Sequence, residues 1–472
     1  MLTLDADAAN EEDAGYRPNY SIGQRMQSKP PRAHLATRSW VPEACETYIQ
    51  GIALDTAHRA PDETEAILDA LVIENKRIHE RDCVNLNPAT NVMNPKAEAM
   101  MSAGLGSRPS LGYPGDKYEM GLEAIEKIEV VAAELVAEVF GAKYAELRVG
   151  SGALANLYAF MATAKPGDRI IVPPASIGGH VTHHRAGAAG LYGLDIHAAP
   201  VDAERYTVDI GALRKQAKRV QPKLITIGGS LNFLPHPVKE IRAIADEVGA
   251  KVLYDAAHMS GMIAGRAWQQ PLDEGAHVMT MSTYKSLGGP PGGLIVSNDA
   301  ELMQRIDAIA YPGLTANFDA GKTAALAITM LDWKMHGRAY AQHMADTAAA
   351  LARCLAERGL PMFTTSGGSA RSHQIAIEAA RFGGGHAAAQ HLRRSNILSC
   401  AIGLPIAAVE GDANGLRLGT PEIVRFGMGP DDMPELASLI ARGLIGNDAP
   451  DMVAADTTRF RQRFTKLHFM RT

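Results

Sequence analysis

The sequence predicts an α/β fold, with a large domain built on a mostly parallel sheet of the seven-stranded type and a smaller C-terminal α+β domain. Three observations predict it. From Asp82 onward, short apolar runs of strand character alternate with amphipathic helical stretches, the pattern of strands joined by helices. Distinctive polar residues stand just after several of those runs, at Ser151, Asp255 and Lys285, where the carboxyl ends of parallel strands place a site. Beyond about Ala324 the alternation gives way to a long alanine-rich helical stretch and shorter elements, which marks a second domain.

In order, residues 1–80 read as an N-terminal extension with few strand signals. It is acidic at Met1-Leu2-Thr3-Leu4-Asp5-Ala6-Asp7, rich in Pro and Arg around Pro30-Pro31-Arg32, and helical over 63–80, an arm for a partner subunit or for its own domain. The large domain takes 81–323. A helix starting at 122 ends near Phe140, where Gly141 supplies the C-cap. Strands follow at 145–149, 169–172, 193–198, 223–227 and 251–254, with helices at 153–164, 179–188, 210–219 and 238–248 between them. Two further strands, 278–282 and 293–296, flank a glycine- and proline-rich loop. The smaller domain, 324–447, opens with a long helix through 332–357, and 448–472 read as a charged tail with a final helix.

Composition narrows the functional classes. The 472 residues suffice for two or three domains, and 46% hydrophobic with 21% charged residues is ordinary globular usage. A net charge of -5 provides no basic field for nucleic acid. No two of Cys45, Cys83, Cys354 and Cys400 share a CxxC spacing, which favours reduced thiols and the cytoplasm. The acidic start lacks a signal peptide's basic flank, and no apolar run approaches the roughly 20 residues of a membrane helix, so a soluble protein is expected.

The chemistry centres on Lys285, in the stretch Met281-Ser282-Thr283-Tyr284-Lys285-Ser286-Leu287-Gly288-Gly289-Pro290-Pro291-Gly292-Gly293. A lysine held on such a loop beside a cavity loses proton affinity and can attack a carbonyl, including the aldehyde of pyridoxal phosphate. The plain alternative is a solvated loop lysine. Upstream residues favour the first reading. Gly150-Ser151-Gly152-Ala153 lies between a strand and a helix, where amides can cradle a phosphate. Turn glycines alone, or a dinucleotide site using Asp168, would give the same pattern. Asp255 ends an apolar strand 30 residues before Lys285 and could pair with a pyridinium nitrogen, or simply cap a helix. His258, three residues on, suits the cofactor's phenolic oxygen. His180, after two glycines, suits stacking on a flat ring. His180 and His184 could instead chelate a metal, but no third ligand stands near, and an inert histidine cluster is the larger alternative. Arg417, in an apolar frame, offers a fork for a substrate carboxylate or for an ordinary salt bridge.

Together with Gly112-Tyr113-Pro114-Gly115, Gly178-Gly179-His180, Asp255-Ala256-Ala257-His258 and Leu416-Arg417-Leu418-Gly419-Thr420-Pro421, these residues resemble the serine hydroxymethyltransferase family of fold-type I pyridoxal phosphate enzymes, from about Leu86 to Leu444. The resemblance implies that Lys285 carries the cofactor, Asp255 meets its ring nitrogen, His180 stacks on it, His258 lies near its phenolic oxygen, and Ser151, Gly152, Ala153 and Tyr284 complete its surroundings. Arg417 would grip the amino acid carboxylate, with Tyr113 beside the substrate and Tyr118 as a further catalytic candidate; Glu119, a departure from the family, is a catalytic candidate of this chain's own. The resemblance also implies a homodimer or homotetramer in which the segment 113–119 serves the neighbouring cofactor.

The departures carry as much information. Where the family has Ser-Glu-Asn, this chain reads Ala89-Thr90-Asn91. Pro109 and Glu119 stand where the family has tyrosines, although Tyr118 remains. Tyr284 replaces the histidine before the lysine, Pro291 an arginine after it, Ala153 a phosphate-site serine, and Ile402 an asparagine that contacts folate. Thr90 and Ile402 argue that tetrahydrofolate binding is weakened or absent. Glu119 could compensate for the lost glutamate, and Ala89 leaves room for an α-substituted substrate. The expectation is reversible Cα–Cβ aldol cleavage or transfer of a β-hydroxy-α-amino acid of serine or α-methylserine type, with an aldehyde as second partner. A folate-independent aldolase of threonine type, transamination, racemisation, decarboxylation and a non-catalytic pseudo-enzyme are the alternatives.

Overall fold

The computed structural model describes residues 33–472; the acidic start and the Pro30-Pro31-Arg32 stretch lie outside the described residues. The chain divides into two compact units, Met1–Asn75 and Lys76–Thr472. In the first, helices Glu43–Ala57 and Pro61–Lys76 form, and buried Glu46 pairs with Arg38 at 3.0 Å. The helix expected at 63–80 stops at Lys76, and the chain continues as a wide π-turn, Arg77–Asp82.

The second unit is organised by a seven-stranded sheet. Its spatial order is Tyr144–Glu146, Gly293–Ser297, Val278–Ser282, Lys251–Asp255, Leu224–Gly228, Arg169–Val172 and Asp195–Ala198. Lys251–Asp255 pairs in parallel with both neighbours, whereas Gly293–Ser297 runs antiparallel to the strands on either side. The sheet is therefore mostly parallel, as expected. Leu224–Gly228, Val278–Ser282 and Gly293–Ser297 are buried at every position, because helices cover both faces. Such strands read as continuous apolar runs, which is why the sequence shows them.

Local chemistry sets the connections. Asp209, Asp299 and Ser151 accept backbone N–H bonds at the starts of helices Ile210–Val220, Ala300–Ala308 and Gly152–Thr163. Gly141, at φ 63°, ends helix Glu123–Phe140 in the left-handed conformation. The helix expected at 179–188 does not form. Gly178 (φ 77°) and Gly187 interrupt it, leaving a 3-10 turn Val181–His183 and one short helix Ala188–Leu191. That break later matters for His183.

The long helix Ala320–Glu357 starts earlier than its alanine-rich part suggests, capped by Asp319. Beyond it, Gln374–Glu378, Gly415–Gly419 and Cys400–Ile402 form an antiparallel three-stranded sheet, and Val84–Asn85 pairs with Ile397–Leu398. The final helix expected in the charged tail forms, and its segment packs on the fold. Val453 and Phe460 of helix Pro450–Arg461 are buried, Phe469 stacks on Tyr340 at 5.4 Å, and the Arg471 amide donates to Asp332 at 2.7 Å. The charge that makes this segment look exposed is partly satisfied inside.

Candidate active site

The parallel strands aim their carboxyl ends at one place. Asp255 is the last residue of its strand, and Lys285 follows strand Val278–Ser282 by three residues. The strands approach closely there: a Cβ on Gly228 (φ 92°) would stand 2.2 Å from the Asp255 carbonyl oxygen, so only glycine fits. The lysine loop is tied to itself. The Thr283 hydroxyl donates to the Pro290 carbonyl at 2.5 Å, the Gly289 amide to the Thr283 carbonyl at 2.8 Å, and the Gly288 amide to the Lys285 carbonyl at 2.9 Å. Ser286 donates to the His258 carbonyl at 2.6 Å and accepts from the Gly261 amide at 3.0 Å, which joins the loop to the segment after Asp255.

Lys285 is 7% exposed, and its Nζ lies 3.3 Å from His258 Nε2. Burial pushes its amine down to about 8, against the upward pull of the Asp255 carboxylate. The amine is thus readily available in neutral, nucleophilic form. His258 lies well below the ordinary histidine range because burial and then the Lys285 and Arg417 charges oppose a second cation there. It is neutral at physiological pH.

Asp255 is buried, which by itself opposes ionisation. The His183 hydrogen bond and charge, the Ala257 amide and Asn156 more than offset that, and hold the carboxyl below its usual range. His183 Nε2 lies 2.9 Å from Oδ2, Asn156 donates to the same oxygen at 3.0 Å, and the Ala257 amide donates to Oδ1 at 3.0 Å. Thr226 approaches His183 Nδ1 at 3.1 Å, and Thr280 donates to Asn156 at 2.7 Å. His180, half-buried, is linked to this group through Thr182, whose hydroxyl is 2.9 Å from His180 Nδ1 and accepts from Asn156 at 2.9 Å. Burial lowers the His180 pKa. His184 points elsewhere, with Nε2 3.0 Å from the Pro173 carbonyl, so it shares no chelating face with His180. Among the described residues no cluster of metal-ligating side chains occurs.

Arg417 comes from the middle of strand Gly415–Gly419. It donates to the Ser230 carbonyl, places Nε and Nη2 at 3.3 and 3.1 Å from Cys400 Sγ, and Nη1 at 3.4 Å from His258 Nε2. Among the described residues its partners are the Ser230 carbonyl, Cys400 and His258, with no carboxylate at salt-bridge distance. The guanidinium is buried and faces the same histidine as Lys285. Gln374 completes the wall, bonding the Ser230 carbonyl at 2.9 Å and lying 3.4 Å from His258 Nδ1.

The structure therefore brings together Lys285, Asp255, His258, His180 and Arg417. Ser151 caps its helix through the Leu154 amide at 3.2 Å, and Gly152 packs so tightly on Ser282 that a Cβ would meet its hydroxyl at 2.2 Å; the first amides of a helix have no partner within it and are available to a ligand. Ala153 is exposed beside them. Tyr284, Tyr113, Tyr118 and Glu119 are not brought into the cluster within one chain. Tyr284 is 37% exposed where the loop turns Lys285 inward. The Tyr113 hydroxyl donates to Asp307 at 2.6 Å and lines a separate cavity of about 470 Å³ with Arg148 and Phe318. Tyr118 is 80% exposed, and Glu119 accepts the Leu111 amide at 3.4 Å within its own loop. Sequence reading did not assign His183, Asn156, Gln374 or Cys400; His183 was hidden because a continuous helix was expected through it.

A buried ionised carboxylate, a buried amine of lowered pKa and an open helix N-terminus, at the carboxyl edge of one sheet, fit the ring nitrogen, aldehyde and phosphate of pyridoxal phosphate. They define a fold-type I pyridoxal phosphate-dependent enzyme. Comparison with known proteins narrows the class. The serine hydroxymethyltransferase family profile matches residues 61–440. An alpha-methylserine aldolase of Variovorax paradoxus is 67% identical over 93% of this chain and 99% of its own length, and one of a Ralstonia species is 62% identical over 93% and 100%. A serine hydroxymethyltransferase of Sulfolobus acidocaldarius is 38% identical over 87% and 95%. The chain belongs to the serine hydroxymethyltransferase family, and is a pyridoxal phosphate-dependent enzyme of reversible Cα–Cβ aldol chemistry on hydroxy amino acids.

Proposed function

We propose that this enzyme is a folate-independent aldolase that cleaves α-methylserine to alanine and formaldehyde, reversibly. The turn at Asn87-Pro88-Ala89-Thr90-Asn91 carries this reading. The Thr90 hydroxyl accepts from Asn85 at 2.8 Å and donates to the Asn87 carbonyl at 3.2 Å, so it is engaged inside the turn and does not act where the family's glutamate acts. Ala89, half-buried, bonds through its amide to Asn87 Oδ1 at 3.0 Å, and the same oxygen meets Cys400 Sγ, the neighbour of Arg417. Pro88 packs on Gly419, where a Cβ would be 2.4 Å from it, so the turn sits against the strand that carries Arg417. A methyl in place of the family's hydroxymethyl group frees space beside a fully substituted Cα. The relatives 62–67% identical, named alpha-methylserine aldolases, support the same substrate.

In this reading Lys285 carries the cofactor, Asp255 faces its ring nitrogen, His180 lies on the ring, His258 near its phenolic oxygen, and the helix start at Ser151-Gly152-Ala153 receives its phosphate. The bound cofactor supplies a sink for the electron pair left on Cα. Arg417 fixes the substrate carboxylate through its fork and so orients the Cα–Cβ bond. Neutral His258, between Arg417 and Lys285, is placed to hold a proton near the reacting carbon. The hydroxyl loses a proton, the Cα–Cβ bond breaks, formaldehyde leaves and Cα gains a proton, so no oxidant or reductant is needed. We further infer a homodimer whose 113–119 segment reaches the neighbouring site, which accounts for its position away from Lys285. Four unpaired cysteines suit a reducing compartment such as the cytoplasm, and no helix among the described residues is long and apolar enough to cross a membrane.

The experiment compares kcat/KM for serine and α-methylserine, with formaldehyde and the amino acid product (glycine from serine, alanine from α-methylserine) quantified, in the wild type and in Ala89→Ser. The wild type is expected to prefer α-methylserine. The added hydroxyl should shift the ratio toward serine by about tenfold, as expected for a group of methylene size in a packed pocket. An unchanged ratio would remove Ala89 from the specificity argument.

A further inference from the structure

A buried carboxyl that the chemistry above does not use stands behind the substrate-carboxylate site. Glu422, in the short helix Pro421–Arg425 directly after the strand of Arg417, is 6% exposed. Asn85 Nδ2 donates to its Oε2 at 2.7 Å and to the Thr90 hydroxyl at 2.8 Å. Asn85 Oδ1 accepts the Asn87 amide at 3.0 Å. Asn87 Oδ1 in turn accepts from the Ala89 amide and contacts Cys400 Sγ at 3.2 Å, and Cys400 meets the Arg417 guanidinium at two nitrogens. One continuous series of contacts thus runs from Glu422 through Asn85 and the 87–90 turn to Arg417. The Gly419 amide ties the same turn to the strand by donating to the Leu86 carbonyl at 2.7 Å.

We infer that Glu422 is a positioning residue for amino acid recognition: through Asn85 it sets the turn that holds Ala89, Cys400 and the Arg417 fork in register with the substrate carboxylate. This rests on the proposed function only in taking Arg417 as the carboxylate partner. Burial, against the Asn85 bond and the Arg461 charge and together with Glu80, pushes the Glu422 carboxyl up to about 7. Burial therefore disfavours its charged form, so an apolar residue would be tolerated at least as well if packing were its only duty. Its value lies in accepting from Asn85. The amide of glutamine can do the same; a methyl group cannot.

The test measures KM and kcat, and the dissociation constant of alanine read from the absorbance of the holoenzyme, in Glu422→Ala and Glu422→Gln. Glu422→Ala is expected to raise KM and the alanine constant about tenfold while kcat stays within about threefold, and Glu422→Gln to return both to near the wild-type values, because loss of one partner in a bonded network weakens the groups it holds. Unchanged binding in both variants, a glutamine variant as impaired as alanine, or a lower unfolding temperature with unaltered kinetics overturns the inference. Should Glu422→Ala fail to fold, Asn85→Ser breaks the bridge with the carboxyl in place, and must raise KM likewise; unaltered KM there also overturns it. Serine and α-methylserine share the carboxylate. Wild-type inactivity toward α-methylserine would reject the proposed function alone, while the alanine titration would still decide the role of Glu422.

Discussion

Lys285→Ala is expected to lower turnover at least about 1,000-fold and to abolish the stable absorbance of lysine-bound cofactor, because it removes the buried amine at the carboxyl edge of the sheet. The loss should exceed that of any change at the pocket rim, since among the described residues no other lysine lies within hydrogen-bond distance of His258. The same amine gives the wild type a pH signature. With its pKa at about 8, the neutral fraction rises about tenfold from pH 7 to pH 9, so the rate at which cofactor-free protein captures pyridoxal phosphate should rise by a similar factor and then level off. Stopped-flow absorbance measures it. A rate independent of pH over that interval would show that the amine is not the group held near neutrality.

Asp255→Asn is expected to lower kcat by about 100- to 1,000-fold with little change in cofactor content, the loss typical when a fixed electrostatic partner of developing charge is removed. The amide keeps the size of the side chain and one acceptor oxygen, but loses the charge that His183, Asn156 and the Ala257 amide gather around. Stability follows with a definite sign. The folded carboxyl titrates below its ordinary value of 3.8, so the charge stabilises the wild type above that pH, and the contribution falls away as pH drops through the folded value. Unfolding midpoints of wild type and Asp255→Asn should differ by a constant amount between pH 6 and 8 and begin to converge only as pH falls below about 4. Equal kcat in the two proteins would mean that Asp255 serves the fold and not the reaction.

Much of this architecture is legible because buried parallel strands are written as plain apolar runs and their helices as amphipathic ones. Val278–Ser282 and Gly293–Ser297 stand out in this way, and so does Lys285 between them. The broken segment at 179–188 was not legible: its composition is compatible with a helix, and only tertiary packing around Gly178 and Gly187 turns His183 onto Asp255. Arg417 could be singled out, but its partners Cys400 and Ser230 carry no motif, and Ser230 lies 187 residues away. The C-terminal segment misleads by its charge, since Phe460 and Phe469 rather than its arginines decide its placement. Tyr118 rests on resemblance and Glu119 on its departure from it, and one chain alone does not bring them to the lysine.

The most direct measurement is the product balance from α-methylserine with the pyridoxal phosphate-loaded protein in folate-free buffer, repeated with tetrahydrofolate added. One alanine should form for each formaldehyde, at a rate that tetrahydrofolate leaves unchanged. Product formation only after tetrahydrofolate is added would contradict the reading of Thr90 and Ile402 and make the protein a folate-dependent transferase.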